Sequence, residues 1–538
     1  MKFRKKSLLA LALACVMAFS LLAGCGGNNS NTGNSNTGNN ASSGNQGGDA
    51  DTGDSGEKVV VLAQSADTNT MDPHRASGDI GANIYRNICE SLTTFNNDDE
   101  LIPLLAKSWE QLSDTEWLFY LEEGISFTNG EPFNAEAVIY NLDRAASTEY
   151  PRQSFEYTQY YDHCEAVDEY TVKIVLNSPD PLLPEHICDI GMLAPEHSAE
   201  IGEEANSYDI CGTGPYILES WEADQQVTLV ANKDYWRGEP QVDKYIIKTI
   251  PEAATRVAEL LAGNVDIIYD VNFEDVPMLE SQNTVHIDQD VTRRVCYIAF
   301  NTLDWSPAPE LQDARVRQAM NYAVDVDAIV ESIMGGFATP TATWYRSDFP
   351  NYDPSIEGFE YNPEKAKELL AEAGYPDGFS IKCQVSDGLM AKSLEVTQAV
   401  ASYLEEVGIH MEVVPVEYSA IRNILINGQD SQKAEGTFLW SWASKPGLVE
   451  SWLTGIVHST GMTSYNALPG YDELVDEILA TVDLEEKGVL YEEFQHKLVE
   501  DPPYLYLFRQ HSIYGISNRL NWSPSDYQYM LAYEMSVN

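Results

Sequence analysis

Nine histidines are scattered through the 538 residues, and none stands at a recognised spacing from a carboxylate partner. The chain has no G-x-S-x-G, H-E-x-x-H, C-x-x-C or P-loop sequence, so hydrolytic, zinc and phosphate-cradling chemistry lack a motif. Gly212-Thr213-Gly214 fails as a dinucleotide fingerprint, because Pro215 stands where a helix should open. Cys89, Cys164, Cys188, Cys211, Cys296 and Cys383 show no metal-ligand spacing, and their pairing is left open. Binding without catalysis, cofactor or metal is the simpler chemistry. Enclosing a zwitterion or peptide takes a cation for the carboxylate, an acid or carbonyl for the ammonium, and aromatic walls. Arginine forks suit the first task. Trp440-Ser441-Trp442 is a candidate for the aromatic wall. The strand through 440–442 is expected to turn one tryptophan to each side.

The N-terminus belongs to a different part of the story. Lys2, Arg4, Lys5 and Lys6 precede an apolar run from Leu8 to Leu22, broken at Ser20 and followed by no stop-transfer pattern. These features predict a signal peptide over residues 1–24. Leu22-Ala23-Gly24-Cys25 resembles a bacterial lipobox, which implies cleavage before Cys25 and acylation of that residue. Gly26 to Glu57 is Gly, Asn, Ser, Thr and Asp with almost no apolar residue, so residues 25–57 should form a lipidated tether. Its reach is about 30 Å. Removing residues 1–24 takes away four basic and no acidic residues, which deepens the formal charge from −52 to −56. That balance excludes nucleic acid as a partner and offers no basic face to anionic lipid. The acids are spread along the chain, which reads as surface hydration and leaves room for a cationic ligand. The remaining 480 or so residues exceed one core and call for two or three domains.

The elements alternate. Lys58 to Leu62 reads as a strand, and Asn134 as the N-cap of a helix from Ala135 to Arg144. Tyr170 to Leu176 has period-two alternation. Gly212 to Gly238 reads as turn, strand, turn, strand, turn. Strand Lys244–Ile250, helix Glu252–Ala262 and strand Val265–Tyr269 predict an α/β layer with a right-handed crossover. Asn362-Pro363 opens a helix that Gly374 ends. Helix Ser393–Val407 and strand His410–Val414 make a second α/β unit, followed by a strand over Gly436–Trp440, helices near Asp472–Ala480 and Glu485–Val499, and a strand over Tyr504–Phe508.

Several of these stretches occur in a telling order: Leu105–Trp109 (LAKSW), Asn129–Glu136 (NGEPFNAE), Gly212–Tyr216 (GTGPY) with Tyr235-Trp236, Asp313–Asp325 (DARVRQAMNYAVD) and Tyr361–Gly374 (YNPEKAKELLAEAG). The chain from 58 to 538 resembles the extracellular solute-binding proteins of the peptide/nickel ABC importers. The resemblance implies a large α/β fold of the type II periplasmic-binding kind, with two hinged lobes. Lobe I would comprise 58–95, 208–299 and 504–538, an extra subdomain 96–207, and lobe II 300–503. Asn301 and Asp501-Pro502-Pro503 become hinge candidates, although such prolines serve equally well in a surface loop.

The resemblance also implies the candidate contacts and their roles. Arg152 and Phe155 fall where nickel-chelate binders place a carboxylate-reading arginine and a tryptophan, with Phe replacing Trp. Gly191 falls near those binders' second arginine. Trp440 and Trp442 occupy a cleft-lining aromatic position. Lys445 stands where an acid holding a peptide's amino group is expected, which argues against a plain dipeptide. Trp344, Arg346 and His74 match ligand-facing regions. GTGPY and its partners Trp221, Tyr235 and Trp236 read as scaffold. The implied protein is a monomeric lipid-anchored receptor on the outer face of the cytoplasmic membrane of a Gram-positive bacterium. It would deliver a short peptide or peptide-like solute to ABC permease subunits. A nickel or other metal chelate, or solute sensing without transport, are the alternatives.

Overall fold

A computed structural model describes residues 56–76, 78–97, 100–147, 160–202, 204–346, 351–356, 358–443, 450–524 and 529–538. Arg152, Phe155, Lys445 and Cys25, together with the expected signal peptide and most of the tether, lie outside the described residues.

The apolar run Val59–Gln64 is a buried strand, parallel to Lys244–Thr249 on one side and to Ile267–Ile268 on the other. Antiparallel strands Gln226–Ala231 and Tyr216–Glu222 extend that side of the sheet. Two long strands carry the sheet from one lobe into the other. Val285–Phe300 has 16 residues and Tyr504–Ser517 has 14, and they run antiparallel to each other. At ~3.3 Å per residue the first spans about 50 Å. Val285–Val291 pairs with His511–Ser517 in lobe I, and Val295–Ala299 pairs with Tyr504–Arg509 in lobe II. There Thr437–Ala443 joins antiparallel, and Phe379–Val385 and Ile409–Pro415 follow in parallel. The whole forms one 11-stranded sheet.

The ladder between the long strands loses its register between Val291 and Val295. That irregularity lies in the middle of the two strands, whereas the expected division at 299/300 and 503/504 falls at their ends. Both hinge candidates are likewise anchored at the lobe II end. Asn301 is fully buried, with its amide donating to Glu435 O at 3.1 Å. Arg317, 1% exposed, ion-pairs with Asp501 and donates from Nε to Pro502 O at 2.9 Å. Arg317 belongs to the DARVRQAMNY helix, Ala314–Tyr322, whose N-cap Asp313 accepts from Arg315 N. On the same helix Asn321 donates to Tyr504 O and accepts from Tyr506 N. This stretch is therefore the clamp that starts the second long strand.

Lobe II is covered on both faces. One core gathers Ile298, Val316, Met320, Val396, Val400 and Leu439, the other Tyr297, Phe438, Trp452, Tyr471 and Phe494. Beside lobe I, Ala106–Ser113, Glu116–Leu121, Thr171–Leu176 and Tyr161–Asp168 form a four-stranded antiparallel sheet in that order. The helix Ala135–Ala146, capped by Asn134 accepting from Ala137 N at 3.1 Å, supplies Val138 and Leu142 to its core.

The Gly212–Gly238 stretch is a clasp. A Cβ on Gly212 would lie 2.0 Å from Ile88 O, and one on Gly214 2.6 Å from the same atom, so only glycine lets the turn approach. The approach brings Thr213 Oγ1, Tyr235 Oη and Trp236 Nε1 to within 2.6–2.9 Å of the buried Glu90 carboxylate. All six cysteines of the described residues are free thiols.

Candidate functional site

A cleft of about 1370 Å³ opens between the lobes, with the midpoints of the two long strands among its walls. It lies where many strands end. Asp270 follows Ile267–Ile268, Asp387 follows Phe379–Val385, Tyr418 follows Ile409–Pro415, and Trp442-Ala443 close the strand Thr437–Ala443. Carboxyl ends of parallel strands are the usual ligand-binding edge of an α/β sheet, because the loops there are free of the ladder. Lobe I adds Asp79, the first residue of the helix Asp79–Tyr85, and lobe II adds Arg422 and Ile426 of the helix Tyr418–Ser431.

Aromatic and charged groups divide the walls. Trp440 is 8% exposed and stacks on Tyr418, with ring centroids 6.3 Å apart and planes at 10°. Trp442 packs over Gly455, where a Cβ would lie 2.9 Å from the indole. Its Nε1 is buried without a hydrogen-bond partner, as is Thr463 Oγ1 on the same wall. Arg294 Nη1 donates to Ser441 Oγ at 3.3 Å. His511 sits at the crossing between Thr339 Oγ1 (2.8 Å) and Gln289 Oε1 (3.2 Å), and burial pushes its pKa down.

Asp79 and Asp270 are open to the water of the cleft, yet the walls crowd that water. Desolvation raises both carboxyls above their ordinary value, against the pull of Arg294. For Asp270, Arg256 also opposes the rise and Asp79 adds to it. Asp270 and Lys392 hold positive φ, +54° and +60°, a conformation that side-chain-bearing residues rarely adopt. Lys392 reaches across the cleft to Glu274 Oε1 at 2.7 Å, and that pair holds the Glu274 carboxyl below its usual range. Phe273 stacks on Phe337 beside it, at 6.4 Å between centroids.

The residues expected from the sequence separate. Trp440 and Trp442 both line the cleft. They lie on the same side of their strand, a correction to the expectation that they face opposite ways: residues two apart share a face, and both pack with the Phe438 core while Leu439 joins the other. His74 is 2% exposed and away from the cleft walls. Arg144 Nη1 donates to its Nδ1 at 2.6 Å, and its Nε2 donates to Gly191 O at 2.9 Å. The same guanidinium grips Asp72 through both carboxylate oxygens, at 3.0 and 2.6 Å. His74 therefore ties the Asp72-Pro73 turn to the subdomain. Trp344 is buried, stacking on Trp452 at 5.3 Å, and Arg346 donates to Val291 O at 3.2 Å; neither is a cleft-wall residue.

Asp79, Asp270, Arg294, Lys392 and Arg422 were not singled out from sequence. Arg294 left a signal, as one of two arginines interrupting the otherwise strand-like run to Phe300. The rest are loop or helix-start residues whose types are common on surfaces. Among the described residues no group of three or more His, Cys, Asp or Glu could hold a metal ion, and no helix is long and apolar enough to cross a membrane.

Residues 100–464 match the family model described as bacterial extracellular solute-binding proteins, family 5 Middle. The glutathione-binding protein GsiB of Pectobacterium atrosepticum is 27% identical over 486 residues, covering 86% of this chain and 91% of the relative. The heme-binding protein A of Haemophilus influenzae is 27% identical, covering 82% and 84%. The fold is also that of NikA from Brucella suis, solved in complex with Fe(III)-EDTA, with a TM-score of 0.79 at 22% identity over 90% of this chain and all of that one.

Proposed function

We propose that this chain, which belongs to family 5 of the bacterial extracellular solute-binding proteins, captures a short peptide or peptide-like solute between its lobes and hands it to an ABC permease. Members of the family are binding proteins and not enzymes. The observation that carries the reading is the cleft itself. Its volume of about 1370 Å³ exceeds the ~300–1,000 Å³ of a drug-sized pocket. Its walls combine indole rings, guanidinium groups and carboxylates, the set that a zwitterion several residues long would engage. The relative named for glutathione supports a peptide-like ligand, since glutathione is a tripeptide.

Arg152, Phe155 and Lys445 complete the proposed contacts on the strength of the family resemblance. Cys25 supplies the proposed lipid anchor, and the chain acts as a monomer at the cell surface. A metal chelate is the second reading, favoured by the Arg294 and Arg422 guanidiniums, which suit a chelator's carboxylates. Isothermal titration against glutathione, di- to pentapeptides and nickel with excess histidine separates the readings. Peptide binding that Trp442→Ala weakens at least tenfold is expected. Heat from the nickel–histidine mixture alone would move the assignment to the chelate.

A further inference from the structure

Two sets of lobe I carboxylates stand in contrast. Asp72, Asp266 and Glu90 are buried and saturated, by Arg144, by Arg519, and by Thr213, Tyr235 and Trp236 respectively. Asp79 and Asp270 line the cleft, and among the described residues neither makes a hydrogen bond or an ion pair. They stand close enough for Asp79 to disfavour the charge on Asp270. Neither cation that acts on them pairs with them: Arg256 donates to the carbonyls of Ile250 and Pro251, and Arg294 gives one bond to Ser441. The cleft as a whole carries six carboxylates against Arg294, Lys392 and Arg422, with Lys392 already paired to Glu274. Two like charges facing one cleft disfavour each other unless a cation arrives with the ligand.

The opposite polarity is found on the lobe II side. Thr463 is only 5% exposed and its Oγ1 has no partner, a rare state for a buried hydroxyl. Trp442 Nε1 is in the same condition, and Gly455 links the two, meeting the Trp442 ring and accepting from Thr463 N at 3.1 Å. Arg294, held by one bond to Ser441, keeps other N–H groups for a ligand. Of these groups Arg294 is the exposed one, while the Trp442 and Thr463 atoms are closed off from solvent.

We propose that Asp79 and Asp270 jointly bind a protonated amine of the solute, while Arg294 takes its carboxylate or carbonyl oxygens. The receptor then selects peptide-like zwitterions whose amine is free, held against lobe I. The inference rests on the peptide reading above and adds the polarity of the bound solute.

The test is isothermal titration of the purified protein with glutathione and tri- to pentapeptides, each beside its N-acetylated form. Acetylation removes the charge and is expected to weaken binding at least thirtyfold. Asp79→Asn and Asp270→Asn should each weaken the free-amine form at least tenfold while melting no lower than the parent, which separates lost binding from lost folding. Arg294→Gln should weaken the free-amine peptides yet keep their advantage over acetylated ones. N-acetylated and free peptides binding within threefold of each other would overturn the inference and leave the peptide reading standing. So would the two Asn variants binding free-amine peptides like the parent. Failure of every peptide to bind would overturn both.

Discussion

Asp79 and Asp270 illustrate how one side chain can serve binding at the expense of folding. Each has a pKa raised above the ordinary 3.8, chiefly by desolvation. A carboxyl raised by folding keeps its proton to higher pH in the folded chain than in the unfolded one. Its charged form therefore costs stability at pH 7, and the cost disappears as pH falls through the folded value. Thermal melts of ligand-free Asp79→Asn and Asp270→Asn should show unchanged or higher midpoints at pH 7, with the gain vanishing in acid. Ligand affinity should fall as pH drops toward the raised values, in a window above 3.8, with Arg256, Arg294, Tyr269 and Tyr514 as the other titratable groups around the pair. Affinity flat from pH 7 to 4 would contradict that assignment. His74 supplies the contrasting case. Its ring bridges Arg144 and Gly191 O, so His74→Ala should lower stability by about 1–3 kcal/mol in a urea melt and leave ligand affinity unchanged. At this scale the sequence was legible where a residue type is rare and its strand is regular, as at Trp440 and Trp442. It was not legible at His74, because the partner that claims the ring lies 70 residues away.

The elements were easier to read, because their causes are local. Asn134 and Asn362 cap the helices that the sequence places after them, each accepting from a backbone N–H three residues on. The clamp on the second long strand was not readable, since Arg317 and Asp501 are 184 residues apart. Arg317→Ala strands Asp501 and loosens the entry to Tyr504–Ser517. It should cost about 3 kcal/mol, measured by chemical denaturation. The Lys392–Glu274 pair is of another kind, with side chains 34% and 53% exposed. Such a pair contributes ~0–1 kcal/mol to folding. Because it joins the lobes, Lys392→Ala should barely move the melting midpoint while speeding ligand release a few-fold in stopped-flow measurements. An unchanged release rate together with a large loss of stability would show the pair to be structural.

For the molecule as a whole, the long strands decide the function. Each crosses once from lobe I to lobe II, and the register breaks between Val291 and Val295, beside the cleft. On the proposed function, closure of the lobes about that irregular point would bury the ligand without disturbing either core. The two-lobed architecture was legible as a resemblance carried by motifs, yet those motifs mostly build scaffold: GTGPY clasps Glu90, and DARVRQAMNY clamps Asp501 and Tyr504. The cleft walls were less legible, because they come from loops and strand ends drawn from both lobes, where no periodicity constrains the sequence. Arg152, Phe155 and Lys445, which lie outside the described residues, stand as proposed contacts beside Trp440 and Trp442. The most direct test of the account is native mass spectrometry of protein freshly purified from its own cells. A co-purifying adduct with a peptide's mass and a free amine, lost from Trp442→Ala, is the predicted result. A metal ion with a small chelator in its place would contradict it.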